Sequence, residues 1–250
     1  MMLYDNSQTV TDENQILSDF KKMSQATYKQ HHHIADLQYD FQRRSTLDFF
    51  PTPVATNTTV IFIHGGYWQW CEKRDFAFVA EFVLKQNAQC VLVEYDLAPQ
   101  SSLNLINLQI RKALDYIHKQ TWISPNVIVV GHSAGAHLAA LNLDHPLICS
   151  AILLSGIYDL KPIQETHLNK PLNLSELDIK NLSPVEHSTH FAKPCTIVYG
   201  LDELPELRWQ SQKYYQFRQQ LEPEFTHLLS FADTNHYSIL ERYFKSIMTT

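Results

Sequence analysis

Gly131-His132-Ser133-Ala134-Gly135 sets a serine between two glycines, after the apolar run Val127–Val130 and ahead of a helical stripe through Leu138 and Leu141. A serine on a sharp strand-to-helix turn holds its hydroxyl clear of the sheet, and flanking glycines leave room for the strained backbone. The helix that follows aims its first N–H groups at the same point, where they favour a developing oxyanion. Such a serine attacks a carbonyl carbon and forms an acyl-enzyme. Ser133 is therefore the expected nucleophile.

Upstream, Val60–His64 runs into Gly65-Gly66-Tyr67-Trp68. A glycine pair just past a strand end lets backbone N–H groups approach a substrate oxygen closely. The amides of Gly66 and Tyr67, with that of Ala134, are the candidate oxyanion donors, and Gly65 is expected to give the loop its turn. His64 reads as a hydrogen-bonding group that holds this loop, because another histidine fits the base role better. Tyr67 and Trp68 either flank the substrate, narrowing the acyl side or stacking on an aryl group, or simply pack the loop.

A nucleophilic serine needs a base, and an acid to orient it, in the chain order serine, acid, histidine. His236 lies in Thr234-Asn235-His236-Tyr237, between the last strand and the last helix, where the base belongs. His167, His187 and His190 fall in an irregular stretch, and His227 opens a strand. His137 rides the helix after Ser133 and suits a packing role. For the acid, Asp202 and Glu203 both follow the strand Thr196–Gly200. From chemistry alone they are equal candidates, since either type serves.

The elements that must position these groups alternate strand and helix. Leu37–Phe41 and Thr46–Phe50 read as a leading strand pair, closed by Pro51 and Pro53. Val60–His64 and Cys90–Tyr95 are short apolar runs, as in strands buried on both faces, and Val127–Val130, Ala151–Leu154, Thr196–Tyr199 and His227–Phe231 read as further strands. Helical stripes run through Phe76–Leu84, Leu103–Ile117 and Ile239–Ile247. The pattern implies an α/β fold with a mostly parallel sheet and helices on both faces. The stretch 157–192 breaks the rhythm with Pro162, Pro171 and Pro184. It reads either as a small cap or lid over the site or as a long surface excursion.

With 250 residues, 44% hydrophobic and 18% charged, the chain suits one globular domain. A net charge of −6 leaves no basic footprint for nucleic acid. No apolar run is long enough for a membrane span, and the polar start does not resemble a secretory signal. Cys71, Cys90, Cys149 and Cys195 are scattered, three of them in or beside apolar stretches, which suggests reduced thiols and a cytoplasmic location. His31-His32-His33 lacks further ligands at metal-binding spacing and reads as a solvated turn.

Together these segments resemble the kynurenine formamidase (arylformamidase) branch of the α/β-hydrolases, near the hormone-sensitive-lipase-like esterases. The resemblance rests on His64-Gly65-Gly66-Tyr67-Trp68-Gln69, on Gly131 through Ala140, and on Ser155-Gly156-Ile157-Tyr158-Asp159-Leu160. Pro205-Glu206 with Gln210-Ser211, the late Asn235-His236-Tyr237, and Tyr95-Asp96-Leu97-Ala98-Pro99 add to it. The family's acid falls just ahead of its Pro-Glu pair, which implies Glu203 and makes Asp202 one residue early. A glutamate in place of the family's aspartate is a departure, and it keeps Asp202 as a rival. The resemblance also implies a small-molecule formamide or ester as substrate, such as N-formyl-kynurenine, with a small acyl part and no cofactor or metal. Two other readings are a broad short-chain carboxylesterase and a catalytically silent binding protein. The intact set Ser133, Glu203 and His236 speaks against the silent form.

Overall fold

In the computed structural model, which describes residues 3–187 and 192–247, the apolar runs assemble into one eight-stranded sheet. Its strands are β1 (Ile34–Gln38), β2 (Thr46–Phe50), β3 (Thr58–Ile63), β4 (Gln89–Val93), β5 (Asn126–His132), β6 (Ser150–Leu154), β7 (Cys195–Gly200) and β8 (Thr226–Phe231). Their spatial order is β1-β2-β4-β3-β5-β6-β7-β8. β2 alone runs against the others, antiparallel to both of its neighbours β1 and β4, and every pair from β4 to β8 is parallel. All of β4 is buried, as expected for a strand covered on both faces.

β1 differs from expectation. It starts at Ile34 rather than Leu37, and Phe41, expected inside it, is 99% exposed. An edge strand with little burial takes its register from its partner, here Ile34 opposite Phe49 and Leu37 opposite Leu47.

Helices α1 (Glu13–Gln30), α2 (Phe78–Lys85), α3 (Leu103–His118), α4 (Ala134–Leu141), α5 (Lys161–Gln164), α6 (Asn169–Leu172), α7 (Glu176–Leu182), α8 (Pro205–Leu221) and α9 (Ser238–Ile247) cover the sheet. On one face α1, α2 and α9 enclose Phe20, Phe62, Phe76, Phe78, Leu240 and Phe244. On the other, α3, α4, α7 and α8 pack over Ile61, Val91 and Val129. The first helix is not among the expected elements. Asp12 caps it by accepting from Gln15 N–H, and Ser24 on its buried side accepts from Phe78 N–H at the start of α2. Beside these polar contacts, Ile16, Leu17, Phe20, Met23 and Tyr28 recur at helical spacing and pack on this face of the sheet.

The stretch 157–192 folds into the three short helices α5, α6 and α7, and buries Ile163, Leu172, Ile179 and Leu182 in the main core. Residues 188–191, His190 among them, lie outside the described residues. His31 pairs with Glu81 and His33 stacks on Phe50, so in this expected solvated turn only His32 is exposed. All four cysteines are free; Cys90 and Cys195 are buried, whereas Cys149 is exposed. No helix among the described residues is long and apolar enough to cross a membrane.

Candidate active site

The loops that follow β3, β5, β7 and β8 meet at the carboxyl ends of the parallel strands, where α/β sheets bind their ligands. Ser133 sits on the turn from β5 to α4 with φ 55° and ψ −119°, a conformation that L-residues avoid. Close packing enforces it. A Cβ on Gly135 would lie 2.0 Å from the Ile63 carbonyl oxygen, and one on Gly131 would lie 2.4 Å from that of Gly135. Ser133 N–H donates to Leu154 O at 2.8 Å, tying the turn to β6.

The glycine loop is built differently from expectation in two respects. Its run of positive φ begins at Gly66, at 109°, and not at Gly65. A Cβ on Gly66 would meet the Trp70 carbonyl oxygen at 2.2 Å, whereas Gly65 is small because it lies against Ser133. Trp68, expected beside the substrate or packing the loop, does the second. It is 0% exposed in the core, edge-on to His137, because its own φ of 58° turns the ring inward. Tyr67 faces the cavity with half-exposed Trp70 beside it. Among the described residues no protein acceptor takes the N–H of Gly66, Tyr67 or Ala134.

His64 underpins this loop. Fully buried, it bonds the Gly65 carbonyl at 2.7 Å through Nδ1 and Glu94 at 3.0 Å through Nε2, and stacks on Tyr95. Burial alone would raise the Glu94 carboxyl, yet His64, Arg44 and the Lys73 N–H hold it below the usual range. A buried charge with this many partners is an anchor for the loop.

His236 and Glu203 come together from the loops after β8 and β7. His236 Nδ1 lies 3.5 Å from Glu203 Oε2, and neither atom has another partner. That exceeds a formed hydrogen bond, but contacts of this kind tighten as charge develops on the imidazole. The other oxygen, Oε1, accepts from Gly200 N–H and Ser155 Oγ, both at 2.6 Å. Ser155 was not singled out as a site residue, although it opens one of the quoted segments. Asp202 is exposed, and its N–H is bonded to Thr234 O, so its side chain stays outside the site.

Two more histidines surround the site without sharing the pairing. His132 bonds the His236 carbonyl at 2.9 Å, and burial, aided by His236, lowers its imidazole well below the usual range. His137 donates to Leu182 O at 2.7 Å, and burial lowers it to about 3. The unfolded chain protonates this group first, below about pH 6.5. Its contribution to stability is therefore complete above that pH and is lost as pH falls toward 3. His137→Gln keeps a donor for Leu182 O but does not titrate. Urea unfolding midpoints between pH 7 and pH 4 should fall less steeply in the variant, and equal slopes would rule His137 out as a source of the dependence.

Ser133 and His236 open into a cavity of about 400 Å³. One wall comes from an unexpected source, the N-terminal segment, through Tyr4, Asn6, Glu13 and Phe20. From 157–192 only His167 and Leu168 reach it. Tyr67 Oη donates to Tyr4 O at 2.8 Å and accepts from Asn6 Nδ2 at 3.1 Å, which joins that wall to the glycine loop.

Residues 60–179 match the α/β hydrolase fold family. The kynurenine formamidase of Salmo salar is 33% identical over 208 residues, covering 78% of this chain and 71% of that protein. The kynurenine formamidase of Danio rerio is 34% identical over 198 residues, covering 73% of this chain and 67% of its own. Among solved structures, a candidate thioesterase from Silicibacter sp. tm1040 matches with a TM-score of 0.90 over 100% of both chains, at 20% identity. That likeness shows the fold alone. At the identity seen across both fish proteins, and on this fold, the chain belongs to the kynurenine formamidase branch of the α/β-hydrolases and is a hydrolase.

Proposed function

We propose that the chain is a serine hydrolase that removes a formyl group from an aryl formamide of the N-formyl-kynurenine type. The observation that carries this reading is the convergence of Ser133 and His236 on one cavity with aromatic walls. A cavity of about 400 Å³ accepts a single-ring aryl amide. Fish relatives named kynurenine formamidase support the substrate class. Four unpaired cysteines suit a reducing cytoplasm.

Ser133 Oγ attacks the formyl carbon while its proton passes to His236 Nε2. The carbonyl oxygen becomes an oxyanion, to which the N–H groups of Gly66, Tyr67 and Ala134 donate. Glu203 holds the imidazole and stabilises the charge it gains. The C–N bond then breaks, and His236 returns the proton to the departing aryl amine. A water molecule next gives a proton to His236 and attacks the formyl ester, which releases formate and restores Ser133.

The formyl carbon carries only hydrogen, so a site fitted to it has little room for an alkyl chain. N-formyl-kynurenine should be cleaved, and p-nitrophenyl acetate should outrun the butyrate and hexanoate. A steep fall beyond acetyl marks a closed acyl side, whereas rates that stay level or rise with chain length mark an open one. Equal or better rates on hexanoate, with no formamide cleavage, would make the chain a broad carboxylesterase.

A further inference from the structure

We infer that Arg44, on the turn between β1 and β2, is a positioning residue for the oxyanion loop. It acts through the buried Glu94 carboxylate and His64, which together aim the Gly66 N–H at the reacting carbonyl. The inference rests on the proposed reaction only for the oxyanion, which ester and formamide cleavage share.

The aim of the loop is set one peptide group upstream. In a trans peptide the C=O and the following N–H point in opposite directions. Among the described residues the one cis peptide is Ala98–Pro99, so the bond from Gly65 to Gly66 is trans. Fixing the Gly65 carbonyl therefore fixes the direction of the Gly66 N–H. His64 Nδ1 holds that carbonyl at 2.7 Å. His64 does not line the cavity and Gly66 does, so the N–H is turned from the His64 side toward the site.

Both partners of the His64 ring are acceptors. Nδ1 faces a carbonyl, and Nε2 lies 3.0 Å from Glu94 Oε1. That oxygen also accepts from Arg44 Nη2 at 2.7 Å and from the Tyr95 N–H at 3.0 Å. Oε2 accepts from the Lys73 N–H at 2.9 Å. Donors surround both oxygens, which is the environment of an ionised carboxylate. The ring must then donate from both nitrogens, as an imidazolium paired with Glu94. A ring with a single N–H would leave one of these two bonds unmade in a fully buried place.

Arg44 secures the arrangement from outside. Among the described residues it is the one arginine or lysine side chain paired with Glu94, because Lys73 Nζ is taken by Asp36 and Asp48. Its Nη2 also donates to Cys71 O at 2.8 Å, at the far end of the loop. Its Nε donates to Tyr95 O at 2.8 Å, and Tyr95 Oη donates to His64 O at 2.7 Å. One planar fork thus grips the end of the loop, the carboxylate beneath its start, and the residue that holds that start. A lysine ammonium lacks this rigid, spread set of donors.

The test uses p-nitrophenyl acetate, with rates taken per active site titrated by an organophosphorus probe so that lost folded protein does not count. Arg44→Ala should lower kcat about 10- to 100-fold and move KM by less than about twofold, because a misaimed donor is missed in the transition state. Arg44 and Glu94 also line a second cavity, of about 620 Å³, so a guanidinium ion can enter the space the alanine leaves. Millimolar guanidinium chloride should restore kcat in the variant and leave the native protein unchanged, and equal sodium chloride should do neither. Arg44→Lys should fall between the two, and Arg43→Ala, at the exposed neighbour, should match the native protein. In the native protein, nitrogen-15-labelled histidine should show two ring N–H protons for His64 at about pH 7, assigned by their absence from His64→Gln. A native kcat in Arg44→Ala overturns the role, and so does a loss carried by KM or one that guanidinium leaves unchanged. If Arg44→Ala does not fold, Arg44→Lys and the histidine spectrum decide, and a single ring proton on His64 overturns the arrangement. Cleavage of the acetate without cleavage of N-formyl-kynurenine would reject the formamide reading and leave the role of Arg44 standing.

Discussion

Ser133→Ala should abolish turnover while leaving the fold intact. Deleting a serine nucleophile removes the covalent route, so kcat should fall on the order of 10³-fold or more, with only oxyanion and binding effects remaining. The fold is expected to survive for two reasons. Ser133 Oγ makes no hydrogen bond among the described residues, so no structural partner is stranded by its loss. The strained φ of 55° is imposed by the packing of Gly131 and Gly135, and alanine meets that strain as serine does. A serine-directed organophosphorus probe, read by intact mass, should modify the native chain once and the variant not at all. Full labelling of the variant would place the reactive serine elsewhere. An unfolded variant, seen by loss of the thermal transition, would instead mean that the hydroxyl has a structural role.

Where burial dictated the pattern, the sequence could be read. The strands from β3 to β7 appear as short apolar runs because each is covered on at least one face, whereas β8, at the sheet edge, has only Thr226 buried. The serine turn was legible because steric room is a property of the glycines themselves. The choice between Asp202 and Glu203 was not legible from chemistry. It depends on how the loop after Gly200 turns, and there a Cβ would lie 2.0 Å from Thr234 O. Only comparison with the family register favoured Glu203. Trp68 shows the same limit from another side. Three consecutive residues, Gly66, Tyr67 and Trp68, have positive φ, and that run decides which ring faces the cavity and which the core.

The N-terminal wall was invisible for a different reason. Tyr4, Asn6 and Glu13 meet the site through long-range polar contacts, to Gln210, Tyr67 and Tyr237. Such contacts leave no local periodicity, and the apolar stripe of α1, through Ile16, Leu17, Phe20 and Met23, announces a helix and not its place at the site. What looked like a polar lead-in is part of the candidate site. The excursion at 157–192, the more conspicuous irregularity, supplies far less of the cavity lining.

Glu203→Gln should reduce kcat by about 10³- to 10⁴-fold, whereas Asp202→Asn should be nearly silent. The reason lies in the donors already fixed on Glu203. Gly200 N–H and Ser155 Oγ both point at Oε1, so a glutamine there must present its carbonyl oxygen to them. Its NH₂ group then takes the position of Oε2 and faces His236 Nδ1. An NH₂ can only donate, so the neutral imidazole must accept at Nδ1 and carry its proton on Nε2. In that tautomer Nε2 has no lone pair for the Ser133 proton. The fold has no reason to change, since shape and the two anchoring bonds persist, and KM should move little because the residue does not line the cavity. Asp202, by contrast, is exposed, and the contact it contributes, N–H to Thr234 O, is made by the backbone that asparagine retains. Steady-state kinetics on one good ester, with thermal melts as the control for folding, separate the two. A large loss in Asp202→Asn beside an active Glu203→Gln would transfer the orienting role to Asp202.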